Sequence, residues 1–454
     1  MSEGLVSKSL SPGVGRPAAS GAIGISPALV FLLPALLAAA VTLFAPQVMN
    51  DGDTLWHVAA GQWMLDHGQP PQVDPFSYTI AGQPWHDHEW LSEVVMALAY
   101  RAAGWTGVAL LGAAAAGATI GLLGRELVRR LDPAPALAAL IVAAGCIAPS
   151  LVLRPHLLML PLLVLWTGSL IEARVRGRAP PLGLAALATV WANAHGSVVF
   201  ALASALCALI TPFGVDGLLY PLKVSGMTTL SSITEWRSPD FSTPQPLEIA
   251  LLAGLFVIAW RGVRIPLLRL VLLLGLLHLS LQHQRHQMLL AVVGVLILAE
   301  AAGRTPAAEG SAPKLGPIAW LGAALGLALV ALRLIVPFSL QQGPTLPIAA
   351  LDQVPPSLRA QPVLNDYGMG GYLIFRGVKP FIDGRADAEL YGDAFSARYD
   401  AVVSNRAALE ETLAERHVAW TLFPPSSPAV RLLDAEPGWR RLYSDPYAVV
   451  HIRR

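Results

Sequence analysis

Residues 50–90 begin Asn50-Asp51-Gly52-Asp53-Thr54-Leu55-Trp56-His57 and end Trp85-His86-Asp87-His88-Glu89-Trp90. The stretch packs six acids, four histidines and four tryptophans into forty-one residues, between two long apolar runs. A plain connection between such runs needs only polar, flexible residues. Carboxylates gathered with imidazoles point to acid–base or metal chemistry. Tryptophans beside them suit a flat ligand such as a sugar ring, or an aromatic belt at a membrane surface. Asp53 is placed to cap a helix running to about His67, with Trp56, Ala59, Ala60 and Trp63 on one face. Glu89–Tyr100 reads as a second amphipathic piece or the start of the next span. Both pieces are expected along the membrane surface.

Outward from this loop, the chain has 454 residues, 54% hydrophobic and 13% charged, with mean hydropathy +0.54. Soluble proteins carry about 25% charged residues, so an α-helical polytopic membrane protein is expected. The net charge of +1 offers no basic surface, and nucleic acid is not an expected partner. Cys146 and Cys207 both fall in apolar runs, which argues against a disulfide.

Residues 1–26 read as a disordered cytoplasmic tail, and Ala28–Pro46 as the first span. Further spans are expected at Trp105–Leu123, Ala134–Leu153 and Leu157–Ile171. Arginines at 125, 129, 130, 174, 176 and 178 follow two of these, and placing them inside puts Asn50–Trp90 and Arg154–His156 outside. Residues 182–212 read as one span, or as two short ones hinged near Trp191–Gly196; arginines 261, 264 and 269 favour one. Leu247–Trp260, Leu267–Leu281, Met288–Ala301 and Leu315–Val336 complete about nine spans, with ten or eleven allowed at ~20 residues each. From Gln341 the composition turns soluble. Strands are expected at Val363–Leu364, Val378–Ile382, Trp420–Phe423 and Ala448–Ile452, with a helix over Ala407–Arg416. The expected organisation is therefore a membrane unit over 27–340 with an outer loop over 47–104, then a small α/β domain over 341–454.

Several groups can carry chemistry. Asp51 and Asp53 can hold a divalent ion or share general-base work, with helix capping as the plain alternative. Trp56, His57, Asp87, His88, Glu89 and Trp90 lie in the same loop and can line a ligand site, or form a solvated turn with indole anchors. Arg154 and His156 can hold a lipid phosphate, or snorkel to the headgroups. Asn193 and His195 lie in an apolar stretch, where polar groups mark function or an interhelical hydrogen bond. Glu235, Trp236 and Arg237 suit sugar or acceptor binding. Arg285 and His286 can form a second phosphate clamp.

This layout resembles the GT-C class of membrane glycosyltransferases, which carry acidic residues in a first outer loop. It is most similar to bacterial mannosyltransferases and lipopolysaccharide-sugar transferases. Ser232-Ile233-Thr234-Glu235 is also similar to the T-I-x-E motif of the oligosaccharyltransferase catalytic subunit. Asp366-Tyr367-Gly368, with Gly371-Tyr372 and Phe381-Ile382-Asp383-Gly384 after it, resembles the D-Y-G segment of that subunit's C-terminal domain. The tryptophan pair that precedes D-Y-G there is Leu364-Asn365 here, so sequon recognition does not carry over. Arg154-Pro155-His156 stands in a second outer loop with no acidic pair, so a full metal site does not carry over either.

The resemblance implies transfer of a sugar from a polyprenyl-phosphate or polyprenyl-diphosphate donor to a glycan, lipid or protein acceptor. It implies the outer face of a bacterial inner membrane, with a cytoplasmic N-terminus and a periplasmic C-terminal domain. Asp51 or Asp53 would serve as general base or as ligand to Mg or Mn, and Glu235 with Asp366 and Tyr367 would shape the acceptor side. A non-catalytic transporter or assembly protein for lipid-linked glycans is the alternative, but no matched internal repeats are visible. A metallohydrolase would more commonly carry H-E-x-x-H, and the sequence has none.

Overall fold

The computed structural model describes residues 26–195, 209–216, 234–303, 316–387 and 390–454. Its membrane part contains α1 (Pro27–Phe44), α2 (Gly52–His67), α3 (Trp90–Val128), α4 (Pro133–Ile147), α5 (Pro155–Val175), α6 (Gly183–Ala194), α7 (Pro246–Arg261), α8 (Leu267–Gln282), α9 (Gln287–Ala302) and α10 (Gly316–Ile335). Among the described residues six helices are long and apolar enough to cross a membrane: α1, α3, α5, α10, and α4 and α9 with their adjoining short turns. The expected tail over 1–26 lies almost wholly outside the described residues.

The core joins α1, α3, α4, α5, α6 and α9 through side chains such as Leu123, Leu127, Leu140, Leu157 and Val292. Small residues let these helices approach: a Cβ on Gly124 would stand 2.8 Å from Phe31 Cβ. α10 instead turns Trp320 and Leu327 outward, where lipid would cover them. The surface piece expected after Trp90 and the span expected from Trp105 are one helix of 39 residues, bent at Ala103–Gly104. Gly104 takes φ 57°, a left-handed turn that favours glycine.

α6 has 12 residues, about 18 Å of helix, too short to cross ~30 Å of hydrocarbon alone. The choice between one and two spans over 182–212 falls partly outside the described residues. The Asn193 side-chain amide nonetheless donates to the Ile210 carbonyl at 2.8 Å, so the end of α6 lies beside Ile210.

The C-terminal part is built on a four-stranded sheet of order β1-β2-β4-β3, with β1 (Val363–Asn365) parallel to β2 (Trp420–Phe423). β4 (Val449–Arg453) lies between β2 and β3 (Trp439–Ser444), antiparallel to both. The expected helix over 407–416 is Arg406–Glu415, capped by Asn405. The strand expected at Val378–Ile382 does not form. Pro380 lacks a ladder donor, and the neighbouring backbone bonds instead to the Asn365 side chain, which accepts from Phe381 N (2.7 Å) and donates to Ile382 O (2.8 Å). β3 was not expected, because its Arg440 and Arg441 are the exposed side of an edge strand.

One face of α2 packs on the C-terminal part. Trp56, Ala60 and Met64, with Trp85, enter a core shared with Leu364, Ile374, Phe381 and Phe423. Trp56 and Trp85 are therefore interior packing against the C-terminal part rather than members of an interfacial belt. The 72–85 loop docks on the same part through Tyr78 Oη to Val363 O (2.9 Å) and Thr79 Oγ1 to Phe381 O (2.6 Å).

Candidate functional site

Arg154 is the centre of the site. Pro155, the first residue of α5, biases the residue before it to extended backbone, and Arg154 has φ −125° and ψ 167°. Its guanidinium reaches the start of α2. Nε donates to Asp51 Oδ2 and Nη2 to Asp51 Oδ1, both at 2.8 Å. Nη2 also lies 3.0 Å from Asp53 Oδ2, and Nη1 donates to Glu235 Oε1 at 2.6 Å. Asp51, rather than Asp53, caps α2, accepting from Thr54 N at 3.2 Å. Thr54 Oγ1 donates to Leu153 O at 2.8 Å, which ties the helix start to the segment bearing Arg154. Burial pushes the Asp51 carboxyl up, but the guanidinium outweighs it and holds the group at about 2. Glu235 is likewise held below its usual range, burial being outweighed by Arg154 and Arg285. The two aspartates expected as metal ligands thus face an arginine.

A second cluster adjoins the first. His57 Nδ1 lies 2.7 Å from Glu93 Oε1, and Glu89 Oε1 lies 3.2 Å from His195 Nε2 and 3.8 Å from His88 Nε2. Burial depresses His57 well below the ordinary imidazole value and takes His88 to about 3, so both stay neutral near pH 7. Asp87 is buried and shifted upward for that reason, and its Oδ1 accepts from Glu89 N at 3.1 Å. His57, Glu89 and Glu93 offer ligand atoms that all lie within 4.8 Å of one another. The buried Asp87 and Glu93 carboxyls face each other, and Asp87 Oδ2 and Glu93 Oε2 have no other hydrogen-bond partner among the described residues. Facing buried carboxyls and a mixed His/Glu donor set fit a divalent ion.

The C-terminal part closes over these clusters through glycines. A Cβ on Gly371 would stand 2.1 Å from Gly52 O, and one on Gly384 would stand 1.8 Å from Asp53 Oδ1. Trp56 Nε1 donates to that same oxygen at 3.1 Å. Asp366 caps a short turn through Gly368 N (3.0 Å), and Tyr367 Oη donates to Gly384 O (3.4 Å), so both brace this contact.

The remaining expected residues divide. Trp90 Nε1 donates to Asn193 Oδ1 at 3.0 Å, pinning the start of α3 to the end of α6. His156 Nε2 bonds Ser150 O at 2.8 Å. Arg285 lies 4.5 Å over the Trp236 ring, which His283 and His286 meet edge-on. Arg237 is exposed, and its carbonyl accepts from Gln284 N at 3.0 Å.

Two features were not anticipated from the sequence. Glu93 was not singled out, although it follows Glu89 by four residues in a helical, otherwise apolar run, which places both on one face. The other is Arg385. It grips Asp383 through Nε and Nη2 (both 2.8 Å), reaches Asp74 Oδ1 (2.6 Å), and stacks 4.8 Å over Trp85. Tyr391 Oη donates to Asp383 Oδ2 at 2.7 Å.

No protein-family model and no curated protein matches this chain. Solved structures do. The oligosaccharyltransferase of Archaeoglobus fulgidus in its apo form aligns with a TM-score of 0.56 at 12% identity, over 87% of this chain and 69% of that one. The chain has a GT-C fold. The archaeal oligosaccharyltransferase AglB from the same organism, in complex with an inhibitory peptide and a dolichol-phosphate, aligns with a TM-score of 0.54 at 11% identity over the same shares. The Arg154 cluster lies where the start of α2 meets the Gly371 and Gly384 segments of the C-terminal part.

Proposed function

We propose that this chain is a membrane glycosyltransferase. It moves a sugar from a polyprenyl-phosphate or polyprenyl-diphosphate donor to a glycan, lipid or protein acceptor. The observation that carries the reading is the convergence of Asp51, Asp53 and Glu235 on Arg154 in a GT-C fold. Both Asp51 oxygens are taken up by the Arg154 fork and the cap of α2, so Asp53 takes the acceptor's proton as the acceptor oxygen attacks the anomeric carbon. The sugar–phosphate bond breaks, and the lipid phosphate leaves with its charge met by Arg154 and Arg285; His156, whose Nε2 is bonded to Ser150 O, braces the start of α5 beside them. Trp236 and Glu235 line the acceptor side. A bound Mg or Mn ion would supply further positive charge near the departing phosphate, and His57, Glu89 and Glu93 would hold it. The site faces the periplasm of a bacterial inner membrane, with residues 341–454 as its soluble cover.

Purified protein in detergent, given radiolabelled polyprenyl-linked sugars and a membrane extract as acceptor, should transfer label. Asp53→Asn should lose about 10²–10⁴-fold of that rate while eluting and melting as wild type does. Undiminished transfer in this variant would sink the assignment.

A further inference from the structure

We infer that the Arg154 guanidinium is the resident cation of the Asp51/Asp53/Glu235 cluster, occupying the place in which a divalent ion would otherwise bind. The inference deepens the glycosyltransferase reading and rests on it for its catalytic meaning. Its structural content stands separately.

The carboxylates converge from two remote parts of the chain: the cap and first turn of α2, and the short turn at Glu235. Each meets the same guanidinium, at 2.6 to 3.0 Å. A divalent ion of the Mg or Ca type needs oxygens at about 2.0–2.6 Å from itself. Any ion drawing on the Asp51 fork and on Glu235 would have to share those oxygens with three guanidinium nitrogens that carry like charge. The fork geometry itself matches a planar five-donor cation. Arg285 adds a second positive charge within electrostatic reach of Glu235, further reducing the cluster's demand for an external ion. The arginine cannot easily swing away. Its backbone is extended before Pro155, and Leu153 N donates to Val48 O at 2.9 Å beside the Thr54–Leu153 bond.

The consequence is a division of labour. A divalent ion, where one binds, goes to the His57/Glu89/Glu93 group and not to the aspartate pair. Removing the guanidinium should convert the three carboxylates into an ion site.

The test counts Mn²⁺ by electron paramagnetic resonance on purified full-length protein in detergent, without reference to activity. In the wild-type background, Asp53→Asn should leave bound Mn²⁺ unchanged. Arg154→Ala should gain one equivalent of Mn²⁺, and Arg154→Ala with Asp53→Asn should lose that equivalent again. Loss of one Mn²⁺ in Asp53→Asn alone would overturn the inference, because the aspartate pair would then already hold an ion. So would an Arg154→Ala protein that elutes as a monodisperse species yet gains no Mn²⁺. If that variant does not fold, Arg154→Gln supplies the same comparison, and the wild-type against Asp53→Asn count still decides. Absent sugar transfer with the expected Mn²⁺ counts would defeat the glycosyltransferase reading and leave this assignment standing.

Discussion

Gly384 and Asp53 are packed so closely that a methyl group on the glycine would lie 1.8 Å from the aspartate's Oδ1, and 2.9 Å from the Trp56 nitrogen that bonds to it. The C-terminal part is thereby a wall of the candidate site.

Gly384→Ala should therefore act on chemistry more than on backbone strain. The side chain forces Asp53 off its position, and about 1 Å of misplacement can cost roughly 10²-fold in rate. Label transfer should fall by about that much. Gly183→Ala, which meets nothing within 4 Å, should transfer as wild type does. Equal rates in the two variants would show that Asp53 is not held by this contact.

Arg385→Met should destabilise the docked 72–85 loop. It leaves Asp74 and Asp383, both fully buried, without their shared cation. Losing one partner of a buried ion pair costs about 3–5 kcal/mol. Limited proteolysis should then cut within the loop at protease levels that spare the wild type, and the thermal midpoint should drop. An unchanged cleavage pattern would mean that the apolar contacts of Trp85 suffice.

Acid should destabilise the protein in a window set by the buried imidazoles. His88 is depressed to about 3 in the folded chain by burial, against about 6.5 when unfolded. Between those values the unfolded chain binds the extra proton, so stability falls as pH drops from about 6.5 toward 3. Asp51, held at about 2 by Arg154, adds loss in a lower window, as pH falls below about 4. His88→Gln should make the upper window shallower, with His57 keeping its own share, read as the thermal midpoint in detergent between pH 7.5 and 4. A variant as acid-sensitive as wild type would place the titration on other groups.

Gly104→Ala should cost about 1–3 kcal/mol, because a side chain is strained at its φ of 57° and ψ of −146° although space is open around it. The thermal midpoint would report this. A larger loss, or aggregation, would mean that the bend in α3 is needed for insertion.

The membrane helices were legible because twenty-residue apolar runs have few alternatives, and the motif at Asp51–Asp53 was legible because acids are rare in this chain. Partners were not. Nothing in a linear reading puts Arg154 against Asp51, since their contact spans 103 residues and depends on how α1, α3 and α5 pack. The tryptophans misled for a related reason. An indole flanking a membrane segment looks like an interfacial anchor until a soluble cover is seen to bury it, as it buries Trp56 and Trp85. Val378–Ile382 has strand composition, but its backbone partners are the side chain of Asn365 and the 72–85 loop, a tertiary override that local propensity cannot anticipate.

Asp74 and Arg385 are 311 residues apart, and this separation sets a timetable for biosynthesis. A ribosome that has delivered the first loop, with all its acids and histidines, must still make every later membrane helix before residue 385 emerges. Until then Asp53 lacks one wall and Asp74 lacks its counter-charge, so the nascent chain carries the acidic loop unassembled. A chain cut short between the end of α10 and residue 384 keeps the membrane helices and the acidic motif but leaves the site unfinished.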